Sequence, residues 1–329
     1  MPELVSVIIP SYNRRRDLCR CIDSVVTQSS VLIEIIVIDD CSEDDTVAFL
    51  SLNYPDVRLI SCGQRFGPSH LRNLGLREAK GNFFLFLDSD VVLPKQDIVQ
   101  KMVDTLSLDR GIGEIGGEIP VYRNIIDEAR GKRRDFFGKN HNVVSNKDER
   151  SESQSKECTY LATCNCMVRK DVAFEAGGFD PYFNFGGEDA DFGVSILKRG
   201  YSNKVDFDVG VHHHRSTTGR YPDETYRYHL TRVRFNLKHL SIIRNFLIFL
   251  MDFLSFLVFY LILIPKIVVK KIKNEELVPE NYLGGWYLMK AYSVNLAKYA
   301  EIKRLMDSNF LSDKEIEKFE VYVPFEAEK

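Results

Sequence analysis

The chain lacks an excess of charge of either sign: 44 Lys and Arg stand against 47 Asp and Glu, a formal net charge of -3 over 329 residues. Nucleic-acid binding normally needs a basic footprint, so composition argues against a nucleic-acid partner. Cysteine is scarce and odd in number, with seven residues and no C-x-x-C spacing of the kind that closes a zinc site. Cys19 and Cys21, like Cys164 and Cys166, are one residue apart, and all seven are expected to be reduced thiols of a cytosolic chain. A Gly-rich phosphate loop is also missing. The turn after the first apolar run reads Pro10-Ser11-Tyr12-Asn13-Arg14, which is neither G-x-G-x-x-G nor G-x-x-x-x-G-K-S/T. Dinucleotide redox chemistry and P-loop hydrolysis thereby lose their main signature, and so do sugar nucleotidyltransferases, which want a Gly-rich basic loop at that place. Phosphate chemistry here would have to rely on a metal. No secretory leader is expected, because the apolar run at 4–10 has no basic stretch before it. One long apolar run exists, at 246–265, about a bilayer crossing at roughly 20 residues and interrupted by Asp252. Internal repeats and low-complexity tracts are absent.

What is present describes a globular chain, 44% hydrophobic and 28% charged, of a length that fits one catalytic-sized domain plus an appendage. Short β-branched or aromatic runs at 4–10, 33–39, 57–61 and 83–87 read as parallel strands buried on both faces. Helical patterns lie between them: Leu18, Ile22, Val25 and Val26 after the first strand, then 44–50, 68–79 and 94–106. This is a doubly wound α/β pattern, and such sheets bind ligands outside the carboxyl ends of their strands. The stretch 123–156 is charged and poor in apolar residues, and reads as a mobile insertion carrying one short helix. A strand at 160–168, helices at 170–176 and 188–199, and a strand at 203–211 follow. Beyond 215 the pattern is helical, so the expected domains are 1–220 and a helical region, 221–329.

Three carboxylate clusters fall where this architecture places ligands: Asp39-Asp40, then Asp88 and Asp90 around Ser89, then Glu188, Asp189 and Asp191 after two glycines. An Asp after a strand is often only a cap or turn former, which is the favoured reading for Asp40 and Asp44. The D-S-D pair is different, because two carboxylates so close repel each other unless a cation lies between them and an anionic partner. Oxygen ligands of this kind suit Mg²⁺ or Mn²⁺, which bridge to a substrate diphosphate.

These residues resemble the inverting family 2 glycosyltransferases of the GT-A fold. The resemblance runs through V-S-V-I-I-P-S-Y-N-R, V-I-D-D-C-S-E-D-D-T, G-P-S-H-L-R-N-L-G, F-L-D-S-D, G-G-F-D and G-G-E-D-A-D-F, in the family's order, over about residues 4–215. It implies a base pocket of Pro10, Tyr12 and Arg14, with Tyr12 offering a stacking face and Asp39 accepting from the base or ribose. It implies that Arg72 and Asn73 reach the ribose or diphosphate, that Asp88 meets ribose or metal with Ser89 beside it, and that Asp90 binds the metal. One imidazole, His213 or His212, is expected to join the metal. Asp189 is the expected base that takes the acceptor's proton, with Glu188 positioning donor or acceptor and Asp191 binding, orienting or capping. The helix N-terminus there is expected to lower a carboxylate pKa. G-G-F-D should turn the chain and shape the acceptor side.

The implied partners are a nucleoside diphosphate sugar, UDP-linked by preference and GDP-linked otherwise, and a lipid-linked or polysaccharide acceptor. A non-catalytic subunit of the same fold, a phosphohydrolase and self-association of the chain stay open on sequence. The apolar run, followed by Lys266, Lys270, Lys271 and Lys273, suits contact with an anionic cytosolic leaflet. Burying Asp252 in a full crossing costs roughly 2.5–3.5 kcal/mol, so a re-entrant or interfacial helix pair is preferred. Arg227, Arg232, Arg234, Lys238 and Arg244 form either a solvated face or a pocket for lipid phosphate. Tyr287, Met289, Tyr292, Leu296 and Tyr299 are expected packing positions in a helix running over 286–319.

Overall fold

A computed structural model describes residues 3–119, 132–134, 140–142, 155–183, 186–214, 224–272, 280–304 and 309–311. The chain divides into two compact units, one from residues 1–184, 188–220 and 309–329, the other from 185–187 and 221–308.

The first unit begins with alternating strands and helices. Strand β1 (Leu4–Ser11) leads to α1 (Arg15–Val26), β2 (Leu32–Asp39), α2 (Thr46–Asn53), β3 (Arg58–Ser61), α3 (Pro68–Glu78) and β4 (Phe83–Leu87). After the two-residue β5 (Val91–Val92) come α4 (Ile98–Leu108) and β6 (Ile112–Gly117). Two short strands, β7 (Lys132–Arg134) and β8 (Asn140–Asn142), pair antiparallel with each other. Then follow β9 (Ser155–Cys158), β10 (Asn165–Arg169), α5 (Lys170–Glu175), α6 (Glu188–Lys198), β11 (Ser202–Asp206) and β12 (His212–His213). The helix expected within 123–156 falls largely outside the described residues, and the described ones there are strands. The strand expected at 203–211 stops at Asp206, where the Asp206 carboxylate accepts from Asp208 N at 2.8 Å and tightens the chain into a 3₁₀ turn, Phe207–Val209.

Eight strands form one sheet in the order β3-β2-β1-β4-β10-β6-β11-β9. The β3-β2-β1-β4 half is parallel, and β10 runs antiparallel to both β4 and β6. Alternation along β1 explains why it sits in the middle. Val5, Val7 and Ile9 enter the core on the α1 and α4 face, Ile8 enters the core on the α3 and α6 face, and all four are fully buried. The polar exception, Ser6, is satisfied: its hydroxyl bonds the Glu34 carboxylate and accepts from Gly81 N at 2.9 Å. Helix α1 buries Leu18, Cys21, Ile22 and Val25, a three-one-three spacing that keeps one stripe on the sheet. Each such aliphatic side chain contributes about 1.5–3 kcal/mol of burial.

Packing on the other face sets the site. Phe86 of β4 meets Phe179 and Phe192 edge-on at 5.0 and 6.1 Å, while Phe179 and Phe192 stack at 4.4 Å. This aromatic trio ties the G-G-F-D turn and α6 to the strand that ends in D-S-D.

The second unit contains α7 (Glu224–His239), α8 (Ile242–Ile272), α9 (Glu280–Ala297) and α10 (Tyr299–Arg304). Its core holds Val233, Leu237, Ala291, Tyr292 and Ile302, with Met289 and Tyr299 packed against it. Leu296 is 51% exposed and is no packing position, and residues 312–319 of the expected last helix lie outside the described set. Helix α8 passes through Pro265 without interruption, so the break that a re-entrant pair requires inside the apolar run is not there. Residues 242–262 have a mean hydropathy of 2.2, and among the described residues this is the helix long and apolar enough to cross a membrane. Asp252 does not face outward alone: it bonds Arg232 and accepts from the Tyr292 hydroxyl at 2.6 Å.

Candidate active site

The carboxyl ends of β1, β2 and β4 and the start of α6 gather the expected residues. Asp88, Asp90 and His213 each present a ligand atom, and these atoms lie within 4.8 Å of one another. Two carboxylates and an imidazole are a donor set that suits Mn²⁺, a hard ion that also takes nitrogen, so the residues fit a divalent cation. His213 arrives through its two-residue strand, paired antiparallel with Val91-Val92 directly after Asp90. Its Nε2 is 3.1 Å from Asp90 Oδ1, and the Asp90 carbonyl accepts from His214 N at 2.8 Å. His212 is not in the group, because successive side chains of a strand point to opposite sides. Ser89 is buried between the two carboxylates.

Arg14 enters from the loop after β1 and donates to Asp90 Oδ2 at 3.0 Å, which places it beside the carboxylates of β4. Arg72, buried within α3, bridges two clusters: it donates to Asp88 Oδ1 at 2.9 Å and to Glu188 Oε1 at 3.1 Å. Burial opposes its charge, but Asp88 and Glu188 outweigh that and hold the guanidinium firmly protonated. At Glu188 burial prevails over Arg72 and pushes the carboxyl up. Asp189 is pushed up to about 7, first by burial and then by the negative charge of Glu188, although it accepts from Ala190 N at 2.7 Å. The helix N-terminus favours the anion, so the rise shows that enclosure overrides the dipole whose lowering effect the sequence led one to expect. Gly186 and Gly187, at φ 110° and 88°, give the left-handed turn that brings the chain into α6 with these acids leading. Asp191 follows in the first turn and is buried.

Asn73 is tied to the G-G-F-D turn. Its amide donates to Phe179 O at 2.7 Å and its carbonyl oxygen accepts from Phe179 N at 2.8 Å. Both polar atoms thus bind the main chain of the G-G-F-D turn, and each keeps capacity for one more hydrogen bond. Gly178 is required beside it: at φ 76°, a Cβ there would lie 2.7 Å from Asn73 Oδ1.

Around the expected base pocket, Pro10 is the last residue but one of β1 and Asp39 is fully buried at the end of β2. Asp39 Oδ2 accepts from Ser42 N at 2.8 Å and its other oxygen from the Ser42 hydroxyl, which leaves acceptor capacity on both oxygens. Asn13 and Cys41 have φ of 50° and 62°, so a left-handed residue lies two positions beyond the end of each strand. Asn13 N donates to Ser42 Oγ at 2.9 Å and Asn13 Oδ1 accepts from Glu43 N at 2.8 Å, lacing the two loops together. Arg65 lies over the Tyr12 ring, 3.6 Å from its centroid. Sequence reasoning missed Ser42, Arg65 and the fully buried Glu114, the first two because contacts between loops leave no periodic trace.

None of the seven cysteines is in a disulfide. Burial, reinforced by Asp88 and Asp90, raises the Cys21 and Cys164 thiols, so neither offers a thiolate to the site.

Similar proteins share this arrangement of elements. Residues 6–175, just over half of the chain, match the profile described as Glycosyl transferase family 2. Chondroitin synthase of Escherichia coli is 29% identical over 243 residues, covering 63% of this chain and 34% of that protein. Glycosyltransferase AglE of Haloferax volcanii is 29% identical over 215 residues, covering 63% and 66%. The first curated relatives are matched over less than a third of their own length, 29% for the Haemophilus influenzae glycosyltransferase that is 38% identical over 87 residues. Among solved structures, GalNAc-T7 with UDP, GalNAc and Mn²⁺ superposes with a TM-score of 0.56 at 19% identity, covering 72% of this chain and 50% of that one. The mannosyltransferase PcManGT from Pyrobaculum calidifontis, with GDP-Man and Mn²⁺, gives 0.50 at 16% identity, covering 97% and 83%. The profile match, the relatives and the shared GT-A architecture agree: this chain belongs to glycosyl transferase family 2.

Proposed function

We propose that the chain transfers a sugar, with inversion at the anomeric carbon, from a nucleoside diphosphate sugar to a lipid-linked or polysaccharide acceptor at the cytoplasmic face of a membrane. The observation that carries this reading is the convergence of Asp88, Asp90 and His213 on one point, bridged through Arg72 to Glu188 beside Asp189. Asp88, Asp90 and His213 would hold Mn²⁺ or Mg²⁺, which supplies charge neutralisation for the departing diphosphate. Asp189 takes the proton of the acceptor hydroxyl as its oxygen bonds to the anomeric carbon and the nucleoside diphosphate leaves from the opposite face. A base whose pKa lies near 7 is half ionised at neutral pH and still accepts a proton readily. Glu188, held by Arg72, fixes the start of α6 against the donor side. Pro10, Tyr12, Arg14 and Asp39 bind the base and ribose.

UDP is the favoured nucleotide and GDP the alternative; GalNAc-T7 carries UDP and PcManGT carries GDP-Man in the neighbouring structures. A polysaccharide or lipid-linked acceptor is supported by similarity to chondroitin synthase and to succinoglycan biosynthesis protein ExoO of Rhizobium meliloti. In this reading 1–220 is the catalytic domain and 221–329 associates with the membrane through the apolar run at 246–265 and the lysines that follow it.

The test is thermal stability of the full chain in detergent with UDP, GDP, CDP or ADP, with and without Mn²⁺, beside Asp90→Asn. A ligand at 100 times its Kd adds about 2.7 kcal/mol to the folded state. Stabilisation by one diphosphate that depends on Mn²⁺ and disappears in the variant is expected. No stabilisation by any of the four refutes the reading.

A further inference from the structure

Helix α8 has two unlike sides. Asn245, Ile248, Phe249, Asp252, Phe256 and Tyr260 recur at helical spacing and form the stripe that packs on α7 and α9. Asn245 donates to Asn236 O at 3.0 Å, Asp252 pairs with Arg232 and accepts from the Tyr292 hydroxyl, and Phe249 meets Tyr292 edge-on at 4.9 Å. Further along, Gly285 lets α9 come close: a Cβ there would lie 3.0 Å from the Tyr260 ring and 3.1 Å from that of Phe256. Every large side chain outside this stripe from Phe246 to Ile262 is apolar and exposed. At 100° per residue, Phe253, Leu250, Leu254, Met251 and Ile262 follow one another round about half of the circumference.

The neighbouring helices decide how this surface can meet a bilayer. The apolar length is 242–262, with Asp252 at its middle, so Arg232 stands level with the midpoint. Helix α7 runs antiparallel to α8, since Asn236 meets Asn245 and Arg232 meets Asp252. At 1.5 Å per residue, Arg227 lies about 7.5 Å to one side of that level and Lys238 about 9 Å to the other, within a hydrocarbon core about 30 Å thick. A crossing by α8 would therefore carry α7 into the core with Arg227, His229, Arg232, Arg234, Lys238 and His239. Helix α9 would follow, because Tyr287 touches Tyr226 of α7 close to where Gly285 meets Phe256. Such a load does not suit hydrocarbon. Laid in the plane of the membrane, α8 keeps α7 and α9 on the water side, and they supply the polar face that an in-plane helix needs and that α8 lacks by itself.

We propose that α8 is an in-plane anchor whose outward half sinks among the acyl chains of one anionic lipid leaflet, with α7 and α9 on its water side. The sequence continues with Lys266, Lys270, Lys271 and Lys273, the positive charge that anionic headgroups attract. Lipid fits this face better than a second copy of the chain does: a partner helix covers a stripe about 100° wide, whereas fluid acyl chains cover the whole arc. The anchor rests on the membrane association proposed above and specifies its geometry.

The test uses the full chain and vesicles of phosphatidylcholine mixed with phosphatidylglycerol, brominated at a known carbon of the acyl chain. Trp286 is the single tryptophan, so Trp286→Phe clears the background for Leu247→Trp, Leu254→Trp and Leu261→Trp, made one at a time. These leucines are exposed and seven residues apart, so they face nearly one direction and their replacement is expected to leave the fold intact. All three tryptophans should be quenched equally, and most by bromine in the outer half of the chain. Unequal depths, with Leu254→Trp deepest and near the midplane, mean a crossing and overturn the anchor while the membrane reading stands. Leu254→Asp should weaken vesicle binding about tenfold or more, the loss of one buried leucine; unchanged binding refutes the anchor. Equal binding to phosphatidylcholine alone overturns the anionic preference. A wild type that does not float with the vesicles overturns both the anchor and the membrane association, and a dimer in light scattering that Leu254→Asp dissociates would then assign the face to a second copy. Nucleotide binding, read separately, is untouched by either failure.

Discussion

Glu114 lies in the middle of β6, fully buried, and its two carboxylate oxygens have no hydrogen-bond partner of standard geometry. The Cys166 thiol beside it, on the adjacent strand, is a weak donor and offsets little of the lost water. Burial therefore raises the carboxyl from 4.5 to about 8, with Asp189 adding a smaller push in the same direction. The sign follows from proton counting. Between 4.5 and 8 the unfolded chain has released this proton while the folded chain keeps it, so rising pH favours unfolding. Stability associated with the neutral acid is present in full below the unfolded pKa and is lost as pH climbs to about 8. At 1.36 kcal/mol for each pH unit, that interval amounts to about 5 kcal/mol. Glu114→Gln keeps the shape and stays neutral, so it escapes the loss. Urea unfolding of both proteins from pH 5 to pH 9 should show the wild type losing stability with pH and the variant nearly flat. The difference between them should grow by several kcal/mol and level off above pH 8. Parallel curves would refute the reasoning, since they would mean that Glu114 is ionised and solvated in the folded protein.

Asp189→Asn should bind UDP or GDP as the wild type does and lose transfer by about 10²–10⁴-fold, the range for a missing general base; a variant active in single-turnover transfer removes Asp189 from that role. In the wild type, kcat/KM should rise with pH as Asp189 ionises, with a midpoint at or below 7 because a bound cation favours the anion; a flat profile from pH 5 to 8 contradicts this. Asn73→Ala strands two buried main-chain groups of Phe179 and should cost about 2–4 kcal/mol in denaturant unfolding, while nucleotide affinity changes little. A large loss of affinity at unchanged stability would return Asn73 to the nucleotide. Asp252→Asn removes the negative charge that pairs with Arg232 and should destabilise the helical unit by about 2–4 kcal/mol, read as a lower Tm in detergent; a higher Tm would mean that the charge of Asp252 is a liability in the apolar helix.

Some of these positions were legible in the sequence and others were not, for identifiable reasons. D-S-D stood out because like charges close together in the chain need an explanation wherever the chain goes. The choice between His212 and His213 had no such marker: it depends on which way a two-residue strand faces, and that is set by its pairing with Val91-Val92. Asn73 shared its motif with Arg72, yet a helix turns 100° between neighbours, so Arg72 meets Asp88 and Glu188 while Asn73 meets Phe179. Leu296 continued the apolar spacing of α9 but lies at its exposed edge.

The sequence by itself determined the strand and helix order as far as β4, the carboxylate clusters and the family. These are local matters: period, turn chemistry and short motifs are written in neighbouring residues. Tertiary structure decided what joins those clusters. Arg72 bridging Asp88 to Glu188, Arg65 covering Tyr12, Arg232 pairing with Asp252 and enclosure lifting Asp189 to about 7 all come from segments far apart in the chain. Desolvation and Coulomb energy depend on distance through space and on exclusion of water, and neither is defined until the chain has folded.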